Sequence, residues 1–98
     1  MSSFIGLDIG TTGVKSLLVN EKGKILSTAS AEYPLYTPYP LWSEQEPEDW
    51  WQGTITVLRK LITQNGIVKG DIKGIGLTGQ MHGAVFLDNK QQIIRRAL

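Results

Sequence analysis

Cysteine is absent from this chain, and histidine occurs once, at His82. Together these shortages exclude a disulfide framework, a thiolate zinc site, a cysteine nucleophile and a multi-histidine metal centre. An excess of charge of either sign is missing too. Ten basic residues stand against nine acidic ones, a net charge of +1, and the basic residues are scattered. No footprint for nucleic acid or an anionic membrane is visible in that pattern. No apolar run approaches the roughly 18 residues of a membrane span, and the N-terminus has no signal-peptide pattern, so a cytoplasmic protein is expected. What is present is the composition of a soluble folded domain: 98 residues, 41% apolar and 19% charged, enough for one small domain at most.

The most informative segment is residues 6–15, GLDIGTTGVK. An apolar strand over residues 4–7 runs into Asp8, turns through glycines and hydroxyls, and leaves as a second apolar strand over residues 14–19. Such a hairpin can grip phosphate. Gly10 and Gly13 are expected to supply positive φ and close approach of backbone N–H groups to an anion. Thr11 and Thr12 add hydroxyl donors, and Asp8 offers a hard oxygen to a hydrated Mg²⁺. Neither the Walker loop nor the dinucleotide fingerprint fits, because Lys15 lies within an apolar strand and no helix follows the glycines. An ordinary hairpin with a glycine-rich turn also satisfies this segment taken alone.

Further along, Asn20-Glu21-Lys22-Gly23 reads as a turn, and a third strand follows over residues 24–31. Residues 33–47 hold all four prolines and form an extended loop, whose Tyr33, Tyr36, Tyr39 and Trp42 are expected to pack against the body. Pro47-Glu48-Asp49 opens a helix that Asn65-Gly66 closes. Trp51, Ile55, Leu58 and Ile62 recur at helical spacing, which predicts the buried face. Strands are then expected at residues 73–79, 84–87 and 92–96, the last two joined by a turn at Asp88-Asn89-Lys90. The predicted order is β-β-β-α-β-β-β, an α/β layout with a mixed sheet. One helix leaves such a sheet with a face to cover, and residues 75–77 and 85–87 look buried on both sides, so the chain is expected to be the front of something larger.

Two more segments carry chemistry. Gly79-Gln80-Met81-His82-Gly83 follows a strand's C-terminal end, where open α/β sheets bind ligands. Gln80 offers an amide, His82 a hydrogen-bonding ring and Met81 an apolar wall for a sugar's carbon face. A turn packed into a core is the commoner reading of these residues by themselves. Leu41-Trp42-Ser43-Glu44-Gln45-Glu46-Pro47 precedes the helix, and composition alone favours surface and capping roles for its acids and amide.

With GLDIGTTGVKSLLVNEKG, PLWSEQEPEDWW and GLTGQMHGAVFLD in view, in that order, the chain resembles the N-terminal end of an FGGY carbohydrate kinase over essentially its whole length. The first motif is shared with hexokinase and actin. GQMHG is more specific: it is similar to that of members acting on D-xylulose and less so to sedoheptulose kinases, whereas glycerol kinases carry arginine and glutamate in place of Met-His. The resemblance implies a ribonuclease H-like, actin-like ATPase fold, of which residues 1–98 form a truncated N-terminal part of the first domain. It implies ATP and Mg²⁺ as cofactors and D-xylulose as the sugar, with a homodimer of the full-length protein among the expectations. Asp8 would organise Mg²⁺ and phosphate, with the metal held through water. Gly10, Thr11, Thr12, Gly13 and Lys15 would contact ATP, and Gln80, Met81 and His82 the sugar. The catalytic base lies farther along such kinases, so the 98 residues alone are expected to be inactive. Alternatives are another FGGY sugar kinase, a ribonuclease H-like nuclease, or a non-catalytic binding module.

Overall fold

Strict alternation along residues 3–9 sends Ser3, Ile5 and Leu7 to a buried side while Phe4 and Asp8 stay exposed on the other. This strand, β1 (Ser3–Ile9), is the second-from-edge member of a four-stranded sheet in the computed structural model, which describes residues 2–66, 70–80 and 83–97. β2 (Gly13–Asn20) and β3 (Ile25–Glu32) follow as an antiparallel meander. A helix, α1 (Pro47–Asn65), then crosses over to β4 (Ile72–Thr78), which pairs parallel with β1. The spatial order is β3-β2-β1-β4, a mixed α/β sheet as expected from the sequence.

The local signals explain the joins. Asn20 closes the β2–β3 turn by accepting the N–H groups of Lys22 and Lys24 on its side-chain oxygen, at 2.9 and 3.0 Å. Gly23 takes the positive φ of 80° that this turn requires. Pro47 fixes the first turn of α1, and Glu48 and Asp49 face the positive end of its dipole. Gly66, at φ 58°, stops the helix and donates its N–H to the Ile62 carbonyl.

The core lies between α1 and one face of the sheet. Val57 and Leu61 are fully buried there against Ile5, Leu7, Val14 and Leu18. Close approach depends on Gly53, where a Cβ would stand 3.2 Å from Val14 and 3.4 Å from the Tyr33 ring. The predicted helix face holds at Leu58, half-buried against the core, and at half-buried Ile55, and is corrected at its two ends. Trp51 is 58% and Ile62 42% exposed, while Gly53, Thr54, Val57 and Leu61 turn inward. Gly53 brings the helix close on Val14 and Tyr33, and Val57 and Leu61 fill the seam below it.

Two further expectations change. Ile75 and Leu77 of β4 are half or more exposed, as are Phe86 and Leu87, because α1 covers β2 and β3 and leaves β4 open. The two strands expected after β4 reduce to a single antiparallel bridge between Leu87 and Ile93, with an Ile94 N–H to Phe86 carbonyl bond of 2.9 Å. Its turn is built on Asp88, whose side-chain oxygen takes the N–H groups of Lys90 and Gln92. The loop of residues 33–47 folds back on itself through a Tyr36–Glu44 bridge. Tyr33 and Tyr36 are half-buried, whereas Tyr39 and Trp42 are exposed and meet edge to face, 5.0 Å between centroids.

Candidate functional site

Asp8 stands at the C-terminal end of β1, on the sheet face that α1 does not cover. Its neighbours across the sheet are Lys15 on β2 and Thr78 on β4. Thr78 donates its hydroxyl to Asp8 Oδ1 at 3.1 Å. Lys15 is exposed on the same face, one strand away. These three residues end an open trough of about 1170 Å³ that runs over Gly6 and Gly76 beside Leu17. Missing side chains at the two glycines make the trough, since a Cβ at Gly6 would touch Leu17.

The turn after Asp8 is held from behind through its carbonyls. Gly10 accepts the Tyr33 phenol and, at 3.2 Å, the side-chain amide of Gln80. Thr11 accepts the side-chain amide of Gln45 at 2.5 Å, and Thr12 accepts the Tyr33 backbone N–H at 3.2 Å. Gly10 N–H closes the turn onto the Gly13 carbonyl at 3.0 Å. With the carbonyls drawn inward, the N–H groups of Thr11 and Thr12 have no hydrogen-bond partner among the described residues, and both residues are exposed. Successive free backbone N–H groups on a turn form a concavity suited to an anion.

The glycines of this turn work differently from the expectation. Neither Gly10 nor Gly13 has a positive φ. Gly13 is required by space: a Cβ there would lie 2.3 Å from the Ala31 carbonyl oxygen and 3.0 Å from Glu32 Cα. Any side chain would push β2 and β3 apart at the point where the turn begins.

Gln80 is half-buried at the end of β4 and reaches both Gly10 and Gln45. Behind it lies a cavity of about 200 Å³ walled by Ile9, Trp50, Leu77 and Val85. Met81 and His82 lie outside the described residues. Burial, and after it the negative charge of Asp8, raises the Tyr33 phenol above its ordinary value near 10.0. The Tyr36 phenol is also raised, by desolvation first and then by its hydrogen bond to Asp49.

Sequence reasoning missed Gln45. It is 5% exposed, its side chain meets Thr11, Trp50 and Gln80, and its backbone pairs with Ala97 at 2.9 and 2.7 Å. Flanking Glu44 is buried and ion-paired with Arg95, and the Arg96 guanidinium lies 3.8 Å over the Tyr36 ring. The only sequence signal was an amide between two acids ahead of Pro47.

Residues 3–98 match the N-terminal domain of the FGGY family of carbohydrate kinases. Xylulose kinase from Escherichia coli K12 is 43% identical over 95 residues, covering 97% of this chain and 19% of the relative. Xylulose kinase from Bacillus subtilis is 45% identical over 98 residues, covering all of this chain and 20% of the relative. The crystal structure of a xylulose kinase from Brucella ovis superposes with a TM-score of 0.93 at 38% identity, over 98% of this chain and 20% of the other. The chain thus spans about a fifth of the length of the curated relatives it matches.

Proposed function

Since this chain belongs to the FGGY family of carbohydrate kinases, we propose that it forms the N-terminal part of an ATP-dependent xylulose kinase, converting ATP and D-xylulose to ADP and D-xylulose 5-phosphate. One observation carries the reading on the chain's own side: the free amides of Thr11 and Thr12 stand on a turn anchored from behind, directly after Asp8.

Phosphoryl transfer depends on positioning and on stabilising charge over the transferred group. The Thr11 and Thr12 amides and hydroxyls receive phosphate oxygens, and Gly10 and Gly13 keep the turn narrow enough to present them. Lys15 adds positive charge on the face of Asp8. The donor set fits Mg²⁺ in one particular mode. Among the described residues Asp8 belongs to no group of three or more acids or histidines, and its Oδ1 is held by Thr78. Mg²⁺ is commonly bound by one carboxylate together with water and substrate phosphates. When bound, the ion supplies charge neutralisation at the phosphates. Gln80, Met81 and His82 are proposed to meet the sugar. The carboxylate that accepts the proton of the attacking hydroxyl is proposed to lie outside these residues, so the 98-residue chain alone is inactive. A cytoplasmic setting accompanies this reading.

The test is ADP release by the kinase containing this chain, with D-xylulose, sedoheptulose, gluconate and glycerol offered in turn. D-xylulose should be turned over fastest, and Asp8→Asn should lower kcat by about 10²–10³-fold. Faster turnover of another sugar reassigns the substrate. An Asp8→Asn enzyme with full activity removes Asp8 from the machinery.

A further inference from the structure

We propose that Gln45 is a positioning residue that locks the phosphate-facing turn to the segment after β4, so that the two ligand sites are set as one unit. This deepens the kinase reading and rests on it.

The side-chain amide of Gln45 is used at both ends. Its nitrogen donates to the Thr11 carbonyl at 2.5 Å. Its oxygen accepts from the Trp50 indole at 3.2 Å and from the Gln80 side chain. Gln80 in turn donates to the Gly10 carbonyl, closing a ring of side chains and backbone around the turn. A flipped Gln45 amide would set oxygen against the Thr11 carbonyl and nitrogen against two donors, so a single orientation is allowed. The residue cannot drift either, because its own N–H and C=O are both clamped to Ala97.

The chemistry narrows what could stand in its place. Glutamate has no donor for Thr11 and would press a charge on a carbonyl. Methionine keeps the volume and loses every bond. A residue that merely fills space should tolerate methionine, whereas a lock that reads donor and acceptor should not. Movement of Gln80 caused by sugar would be passed to Gly10 directly and to Thr11 through Gln45. Occupancy at one ligand site therefore changes the amides offered at the other. Coupling of this kind is reciprocal.

The experiment measures the dissociation constant of a non-hydrolysable MgATP analogue with and without saturating D-xylulose, in the kinase containing this chain. In the unsubstituted enzyme the sugar should tighten the analogue by about fivefold or more. In Gln45→Met and Gln45→Glu that factor should fall by about half or more, the remainder being what the direct Gln80–Gly10 bond still passes. A ratio retained in both variants, or absent from the unsubstituted enzyme, overturns the proposal. Loss of all D-xylulose binding in the unsubstituted enzyme instead overturns the choice of D-xylulose as the sugar, and a second, ligand-free measurement still judges Gln45. In amide NMR spectra of the kinase containing this chain, without ligand, Gln45→Met should shift Gly10, Thr11, Gly79 and Gln80 together. Shifts confined to Glu46, Trp50 and Ala97 reduce Gln45 to a local brace.

Discussion

Tyr33 grips the turn between β1 and β2 twice, through its backbone N–H to Thr12 and its phenol to Gly10. Its raised pKa turns that grip into a pH dependence. Below about pH 10 the phenol is protonated in the folded and the unfolded chain alike, and its contribution is fully present. Above that, the unfolded chain ionises first, so stability is lost as pH rises toward the folded-state value. Tyr36 acts in the same direction. Tyr33→Phe should therefore cost about 1 kcal/mol at neutral pH and reduce the alkaline loss, leaving the share of Tyr36. Urea unfolding near pH 7 and again above pH 10 measures both effects; equal stability of the two proteins at neutral pH would show that the phenol contributes nothing. At this scale the sequence singled out Asp8 and the turn that follows it, and the structure sets Thr78 and Lys15 beside Asp8. It could not identify Gln45, because the amide's partners Thr11 and Gln80 lie 34 and 35 residues away in the chain. For the same reason the need for Gly13 came from the neighbouring strand, at Ala31 and Glu32, and not from φ.

Elements were legible wherever their ends carry their own chemistry. Pro47 and Gly66 bound α1, and Asn20 and Gly23 bound the β2–β3 turn, each acting on backbone within a few residues. The buried face of α1 was not legible. The stripe read from the sequence is offset from the buried one, which runs through Gly53, Val57 and Leu61, because Gly53 allows close contact with Val14 and Tyr33. Neighbouring substitutions test this. Leu61→Ala, at a fully buried position, should cost about 2–5 kcal/mol, whereas Ile62→Ala, at a site 42% exposed, should cost less than about half as much. Equal losses in chemical denaturation would mean that the helix is rotated from the orientation described. The hairpin after β4 shows the opposite limit. Its turn was readable from Asp88, but the extent of pairing depends on neighbours, and here it amounts to the Leu87–Ile93 bridge.

On the scale of the whole molecule, one sheet face is covered and the other is not. Phe4 is 39% exposed on the open face, and Leu77 of β4, Phe86 and Ile94 are more than half exposed. Apolar surface left in water on this scale drives association. The 98-residue chain by itself should sediment as species heavier than its 10.8 kDa monomer. Phe4→Lys should shift the distribution toward monomer without unfolding, since residue 4 points away from the α1 core. A strictly monomeric chain in analytical ultracentrifugation would show that the open face is not adhesive.

The ring around Gln45 also dictates an order of events. The β1–β2 hairpin closes through contacts only a few residues apart along its turn, so it can form early and cheaply. Of the bonds that fix its carbonyls, those from Tyr33 span 23 residues or fewer, whereas the others span 34 residues to Gln45 and 70 to Gln80, and the backbone clamp on Gln45 arrives with Ala97. Loop closure over such separations costs more entropy and comes later. During synthesis the turn thus emerges as a loose hairpin, and its amides reach their final arrangement only after nearly all of these residues have left the ribosome.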